Sequence, residues 1–252
     1  MPTIANIYFQ AYHEGETLPV VLIHGAGGTL LSWPSEIRRL PGNRIYALDL
    51  PGHGKSSGQG QRTIEAYTSS ILDWLEAVGI LRAVFIGHSM GGAIAQTLAL
   101  DYPDHVIGLG LIGSAARLRV NPVLIEKSAR DESFSSAVEK VISWSFSANI
   151  SENLKALVAR RMAEIRPQVL SGDFMACDTY DRTRRIEEIT CPTVVICGAE
   201  DRMTPVKNSR FLTDHIPTAQ LSIVPEAGHM VMIEKPAEVA TALVHFLTAI
   251  PY

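Results

Sequence analysis

Gly87-His88-Ser89-Met90-Gly91 is the stretch on which the reading of this chain turns. It follows the apolar run Ala83-Val-Phe-Ile86 and precedes the alanine-rich segment 92–101, whose apolar residues recur at helical spacing. A G-x-S-x-G pattern between a strand and a helix predicts a sharp turn that strains the serine, with flanking glycines that let neighbouring backbone approach. The helix then points its unpaired N–H groups and positive dipole end at Ser89. An ordinary glycine-rich turn would account for the glycines but not for the strand before them and the helix after.

A serine hydroxyl is a weak nucleophile until a base takes its proton, so the reading requires a histidine and an acid elsewhere in the chain. Both follow, in the order Ser, Asp, His. Asp201 lies in the polar loop Gly198-Ala-Glu-Asp201 after the strand-like run Thr193-Val-Val-Ile-Cys197, and His229 lies in Ala227-Gly-His229 after Gln220-Leu-Ser-Ile-Val224. Glu200 is the rival acid. It sits one residue closer to the strand and is expected to point away. Negative charge on a reacting carbonyl oxygen needs two backbone donors. They are expected from the N–H of Met90, next to the serine, and the N–H of Ala26 in His24-Gly-Ala-Gly-Gly28, which follows the run Val20-Val-Leu-Ile23.

Outward from these motifs, near-continuous apolar runs (also Arg44-Ile-Tyr-Ala-Leu48 and Val106-Ile-Gly-Leu-Gly-Leu-Ile112) alternate with helical patterns such as residues 64–78, 206–215 and 236–249. That is the signature of an α/β fold whose strands are buried on both faces. From about residue 117 to 185 the strand pattern stops, and helix-like segments 135–146, 152–165 and 167–177 replace it. Because strands resume afterwards, this block is an insertion. Residues 7–10 and 11–14 alternate weakly and are expected to form a short antiparallel strand pair.

Two glycine patterns imitate nucleotide sites. Gly108-x-Gly110-x-x-Gly113 lies inside a strand, whereas a dinucleotide fingerprint opens a helix, so these glycines are read as close-packing positions. Gly52-His-Gly54-Lys-Ser56 ends like a phosphate loop but has Asp49 where the first glycine belongs, and is read as a solvated turn.

The 252 residues carry 22 Lys plus Arg against 26 Asp plus Glu, with no basic stripe, which argues against nucleic acid as a partner. No apolar window reaches the roughly 18 residues a membrane span needs, and the first residues do not read as a signal peptide. Three cysteines, Cys177, Cys191 and Cys197, cannot all pair and are expected to be reduced, buried thiols in a cytoplasmic protein. Asn149-Ile-Ser151 is read as a chance sequon. No cluster has metal-ligand spacing, so neither a metal nor a cofactor is expected.

Taken together, His24-Gly-Ala-Gly-Gly28, Asp49-Leu-Pro-Gly-His-Gly54-Lys-Ser56, Gly87-His-Ser-Met-Gly-Gly92, Gly198-Ala-Glu-Asp201 and Ala227-Gly-His229 make the chain resemble the α/β-hydrolase superfamily over nearly its whole length. The resemblance implies a mostly parallel eight-stranded sheet flanked by helices, formed by residues 1–116 and 186–252. A helical cap, residues 117–185, would be inserted after the sixth strand. Haloalkane dehalogenases and epoxide hydrolases carry a carboxylate at the elbow, whereas this chain has Ser89. The nearest look-alikes are carboxylesterases, enol-lactonases, C–C bond hydrolases of aromatic degradation and the menaquinone-pathway synthase.

The expected activity is therefore hydrolysis of small to medium apolar carboxylic esters, small molecules being the only partner implied. Trp33, Trp144, Phe146 and Met175 are candidates to line an acyl pocket, although each fits an ordinary core position as well. C–C or enol-lactone cleavage is the alternative. It would require a cation for a substrate carboxylate, with Arg117, Arg119, Arg160 and Arg161 as candidates. A scaffold that binds ligand without turnover is the reading from another class. His88 is expected to make structural hydrogen bonds; Asp178 and Asp181, where the cap returns to the sheet, are open to substrate contact or to helix capping, and the structural role is preferred.

Overall fold

The computed structural model describes residues 3–13 and 18–251. Seven strands form one sheet: β1 (Tyr8–His13), β2 (Pro19–Ile23), β3 (Arg44–Asp49), β4 (Ala83–His88), β5 (Val106–Ile112), β6 (Thr193–Gly198) and β7 (Ala219–Val224). Their order across the sheet is β1-β3-β2-β4-β5-β6-β7, and only β1 runs antiparallel, pairing with β3. The expected eight strands are thus seven among the described residues. The expected hairpin over residues 7–14 is instead a single strand paired with β3, Gln10 opposite Ala47. No Gly, Asn or Asp stands between Gln10 and Ala11 to turn the chain back on itself. Glu14 lies outside the described residues.

Period-two alternation divides the interior into two layers. Val20 and Leu22 of β2 face one way, with Val84 and Ile86 of β4, toward α1 (Ser35–Arg38) and, at the C-terminus, α10 (Pro236–Ala249). Val21, Ile23 and Phe85 face the other, toward α2 (Ile64–Val78), α3 (Met90–Asp101) and α8 (Val206–His215). Both faces are covered, which explains why the strands read as continuous apolar runs. At Gly108 an added Cβ would stand 3.0 Å from Ile250 and 3.1 Å from the Pro192 carbonyl, so that glycine permits close packing on β5.

Between β5 and β6 the chain forms α4 (Pro122–Ser128), α5 (Asp131–Ser145), α6 (Glu152–Ala163) and α7 (Pro167–Thr179). This insertion follows the fifth strand, because the strand expected at the N-terminus is one and not two. Helix α4 was not anticipated, although Asn121 caps it and Pro122 opens it, a recognisable start signal. The chain leaves and re-enters the sheet layer at one neck. There Arg117 bridges Asp181, Leu118 N–H donates to the Tyr180 carbonyl at 3.3 Å, and Arg182 N–H donates to the Ala116 carbonyl at 2.8 Å. Asp178 accepts the Val120 N–H at 3.1 Å beside it, so both aspartates bind the neck.

From β2 the chain winds out to β3 and then returns past β2 to β4. The carboxyl ends of β2 and β4 therefore diverge at the point where the winding reverses, which is where an open α/β sheet leaves a crevice. The glycine-rich loop and Ser89 lie at those two ends. Among the described residues no helix is long and apolar enough to cross a membrane.

Candidate active site

Ser89 leaves β4 with φ 52° and ψ −113°, and α3 begins at the next residue. A non-glycine residue there costs on the order of 1–3 kcal/mol, so surrounding bonds must hold it. Ser89 N–H donates to the Ile112 carbonyl at 2.9 Å, while the Ser89 carbonyl accepts the Ser114 hydroxyl and the Gly92 N–H, both at 2.9 Å. A Cβ on Gly87 would stand 2.1 Å from the Gly91 carbonyl oxygen, and one on Gly91 would stand 2.1 Å from that of Ile23. Both glycines are thus required by backbone contact.

His229 and Asp201 meet across the loops after β7 and β6, with Nδ1 of the ring 2.9 Å from Oδ2 of the carboxylate. Both residues are buried. The other carboxylate oxygen accepts the N–H groups of Met203 (2.9 Å) and Thr204 (2.8 Å), and Thr204 Oγ1 donates to Oδ2 at 2.8 Å. Burial pushes the Asp201 pKa up, but the charge and hydrogen bond of His229, with the Thr204 donors, outweigh it and hold the carboxyl below its ordinary value. With Nδ1–H committed to this carboxylate, the Nε2 lone pair of His229 is the one left to take a proton in the cavity. Glu200 points elsewhere: its carboxylate accepts the Ala148 N–H at 3.1 Å. His88 donates from Nε2 to the His229 carbonyl at 3.0 Å, and its ring lies tilted against the His229 ring with centroids 4.7 Å apart. Burial, then the charge of His229, depress the His88 pKa to about 3, so His88 is a neutral prop for that loop.

The glycine-rich loop after β2 is tied at several points. His24 donates from Nδ1 to the Gly25 carbonyl (2.8 Å) and accepts the Leu50 N–H at Nε2 (3.0 Å), which fixes it as a neutral ring. Gly28 N–H donates to Gly25 O at 3.0 Å, and Leu30 N–H to Asp49 Oδ1 at 2.7 Å. Among the described residues no hydrogen bond takes up the N–H of Ala26 or that of Met90. The turn after β3, expected to be solvated, instead buries His53 completely and wraps its backbone around Asp49, whose Oδ2 accepts the Lys55 N–H at 2.9 Å. Gly54 has φ +51°, and any Cβ there would collide with the Asp49 carboxylate.

Ser89 and His229 line one cavity of about 60 Å³, together with Ala26. That is room for a few water molecules. Its roof comes from the insertion: Val141 of α5, Val158, Arg161 and Met162 of α6, and Phe174 of α7. Met203 and Ile233 complete the apolar wall. None of the four residues expected to line an acyl pocket lies on this cavity. Trp33 and Phe146 are buried in the core beside the sheet, Trp144 packs under Lys140 on the outer side of α5, and Met175 is exposed on α7. Helical phase decides which face of the insertion looks inward, and Phe174 rather than its neighbour Met175 does so. Of the four candidate arginines only Arg161 reaches the cavity. Its guanidinium donates to the Leu31 carbonyl at 3.2 Å and makes no ion pair among the described residues.

Three contributors went unnoticed in the sequence. Thr204 follows Asp201 at the spacing of a turn that hydrogen-bonds a carboxylate. Glu234 accepts the Gly228 N–H (2.8 Å) and the Ser147 N–H (3.0 Å), clamping the His229 loop to the start of the α5–α6 turn. Asp173 accepts the Gly27 N–H at 2.8 Å from within α7. The signal for it was an acid at positions i+4 from Val169 and i−4 from Cys177, on an otherwise apolar helix face.

A sequence profile described as "Alpha/beta hydrolase family" matches residues 20–242. A dihydrolipoyllysine-residue acetyltransferase component of an acetoin cleaving system from Pseudomonas putida is 30% identical over 95% of this chain and 66% of that protein's length. A pimeloyl-[acyl-carrier protein] methyl ester esterase from Proteus mirabilis (strain HI4320) is 27% identical, covering 94% of this chain and 95% of its own. Among solved structures, the enol-lactonase from Burkholderia xenovorans LB400 superposes with a TM-score of 0.90 at 26% identity, covering 96% of each chain.

Proposed function

The chain belongs to the alpha/beta hydrolase family, and from that premise we propose that it hydrolyses small carboxylic esters through an acyl-enzyme on Ser89. Ser89 Oγ attacks the acyl carbonyl as His229 Nε2 takes its proton. Asp201 holds the ring by Nδ1 and stabilises the imidazolium, and the N–H groups of Ala26 and Met90 receive the oxyanion. His229 then returns the proton to the leaving alcohol, and water repeats the sequence to release the acid. The observation that carries this reading is the buried 2.9 Å His229–Asp201 contact on the cavity that Ser89 enters with φ 52°. Two free donors, on Ala26 and Met90, support it.

The test is turnover of p-nitrophenyl esters with fluorophosphonate labelling of Ser89. A cavity of about 60 Å³ under a roof that is apolar except for Arg161 leaves little room beyond a short acyl chain. Acetate or butyrate is expected to exceed octanoate by at least about tenfold in kcat/KM. Rates that climb through octanoate would overturn the size argument, and an unlabelled, inert protein would overturn the function.

Arg161 favours a second substrate class for the same chemistry. An unpaired guanidinium on the cavity lining suits an ester or lactone that carries its own carboxylate, in line with the enol-lactonase likeness. Arg161→Gln is expected to raise KM about tenfold for a carboxylate-bearing lactone, with kcat within about threefold and p-nitrophenyl acetate unaffected. Equal effects on charged and neutral substrates would remove this reading.

A further inference from the structure

Helix α7 buries one carboxylate completely, that of Asp173, and three segments of the sheet layer donate to it. Gly27 N–H and His53 Nε2 reach Oδ2, each at 2.8 Å, and Tyr67 Oη reaches Oδ1 at 2.5 Å. The other nitrogen of His53 stands 3.1 Å from the Pro51 carbonyl, which accepts only, so Nδ1 carries a proton. With a carboxylate on the far side, the ring donates at both ends and is charged. Burial pushes the His53 pKa down, but the charge and hydrogen bond of Asp173, the Pro51 carbonyl and Asp49 raise it above the ordinary value. A buried ion pair of this kind persists only when the remaining hydrogen-bonding positions are filled, and here they are.

The position of the Gly27 donor gives the cluster a consequence beyond packing. The Gly25–Ala26 peptide has its carbonyl held by Gly28 N–H and His24, so its N–H, that of Ala26, projects the opposite way. Among the described residues, the next peptide, Ala26–Gly27, is held by Asp173 alone. Gly27 sits at φ +64°, a conformation from which a glycine rotates cheaply. Without the carboxylate, the Ala26–Gly27 peptide is free to turn and the loop loses its tie to α7, so the Ala26 donor, whose direction the Gly25 carbonyl sets, is no longer held at a fixed position over Ser89.

We propose that Asp173 is a positioning residue for the reaction at Ser89: from the insertion it accepts the Gly27 N–H, anchors the loop so that the Ala26 N–H stays at the oxyanion position, and so makes the donor pair complete only while α7 is seated on the sheet layer. This rests on the serine-hydrolase reading above. His53 and Tyr67 hold the carboxylate in place for the Gly27 N–H.

The test compares the full-length wild type with Asp173→Ala, Asp173→Asn, Tyr67→Phe and a stability control in the insertion core, Phe134→Leu. Asp173→Ala is expected to lower kcat for the best p-nitrophenyl ester about 30-fold with KM within about threefold, and to weaken a trifluoromethyl ketone inhibitor by the same factor. Asparagine keeps a carbonyl for Gly27 and is expected to recover kcat to within about fivefold. Hydrogen–deuterium exchange of residues 24–30 rises in Asp173→Ala and stays at the wild-type level in Phe134→Leu. Should Asp173→Ala fail to fold, Tyr67→Phe carries the test, with faster exchange in the same segment and about a threefold loss of kcat at constant KM. Unchanged kcat or exchange in a folded Asp173→Ala, or an equal kcat loss in Phe134→Leu at matched Tm, overturns the proposal. A wild type inert toward esters and lactones is instead the failure of the hydrolase reading, and the exchange arm still decides whether Asp173 holds the loop.

Discussion

Ser89→Ala is expected to lower kcat by about 10⁶-fold, leaving only the small residual acceleration that binding and the oxyanion donors provide. No other side chain on the cavity replaces the hydroxyl: its remaining hydroxyls, on Thr29, Ser32 and Ser145, stand on other segments. KM for a slow ester should stay within about threefold, because the hydroxyl contributes to the transition state rather than to ground-state binding. Mass spectrometry after fluorophosphonate treatment should show one adduct on the wild type and none on the variant. A ligand-binding scaffold would behave differently, keeping affinity with no turnover to lose. The same position makes a second, thermodynamic statement. Ser89→Gly is equally inactive but removes a Cβ from φ 52°, and its Tm is expected to rise, corresponding to about 1 kcal/mol of released strain. A Tm below that of wild type would mean that the elbow is not strained.

Asp201→Asn is expected to lower kcat on the order of 10⁴-fold while preserving the fold. The hydrogen-bond pattern fixes why. Oδ1 accepts two backbone N–H groups, from Met203 and Thr204, so the asparagine carbonyl must take that place. Its NH₂ then occupies the site of Oδ2 and meets His229 Nδ1 with a donor. The ring is forced into the tautomer with its proton on Nε2, which cannot accept one from Ser89. Glu200→Gln should leave kcat within about threefold, since a glutamine carbonyl still accepts the Ala148 N–H. Steady-state kinetics of the pair decide the assignment, and a larger loss in Glu200→Gln would move the acid by one residue.

What could be read in advance follows from the range of the physics involved. The strands were legible because burial on both faces leaves no polar positions, and helices α2, α8 and α10 because a single amphipathic stripe marks them from end to end. Ser89, Asp201 and His229 were placed by short local motifs at strand ends, and the structure brings them to one crevice because parallel strands deliver their carboxyl ends to the same edge. The pocket wall was not legible. Val141, Val158, Met162 and Phe174 differ from Trp144 and Met175 only in helical phase and in how α5, α6 and α7 cross, which no local pattern encodes. The turn at His53 was misjudged for a related reason. Its burial depends on Asp173, which lies 120 residues away in the chain. The strand count erred where two weakly alternating segments had to be divided without a turn residue between them.

The neck at Arg117 and Asp181 bears on how such a protein can diversify. The chain exits and returns at adjacent points, so a lineage can exchange everything between them for another insert without disturbing the neighbouring strands. Specificity and reaction chemistry are then inherited as separable parts, with one exception. A chimera that keeps His53 and Tyr67 but receives an insert without a counterpart of Asp173 would leave the Nε2 of a buried imidazole and a buried phenol hydroxyl without their partner. Successful grafts should therefore be those that transfer the acid with the helix, or that recode positions 53 and 67 at the same time.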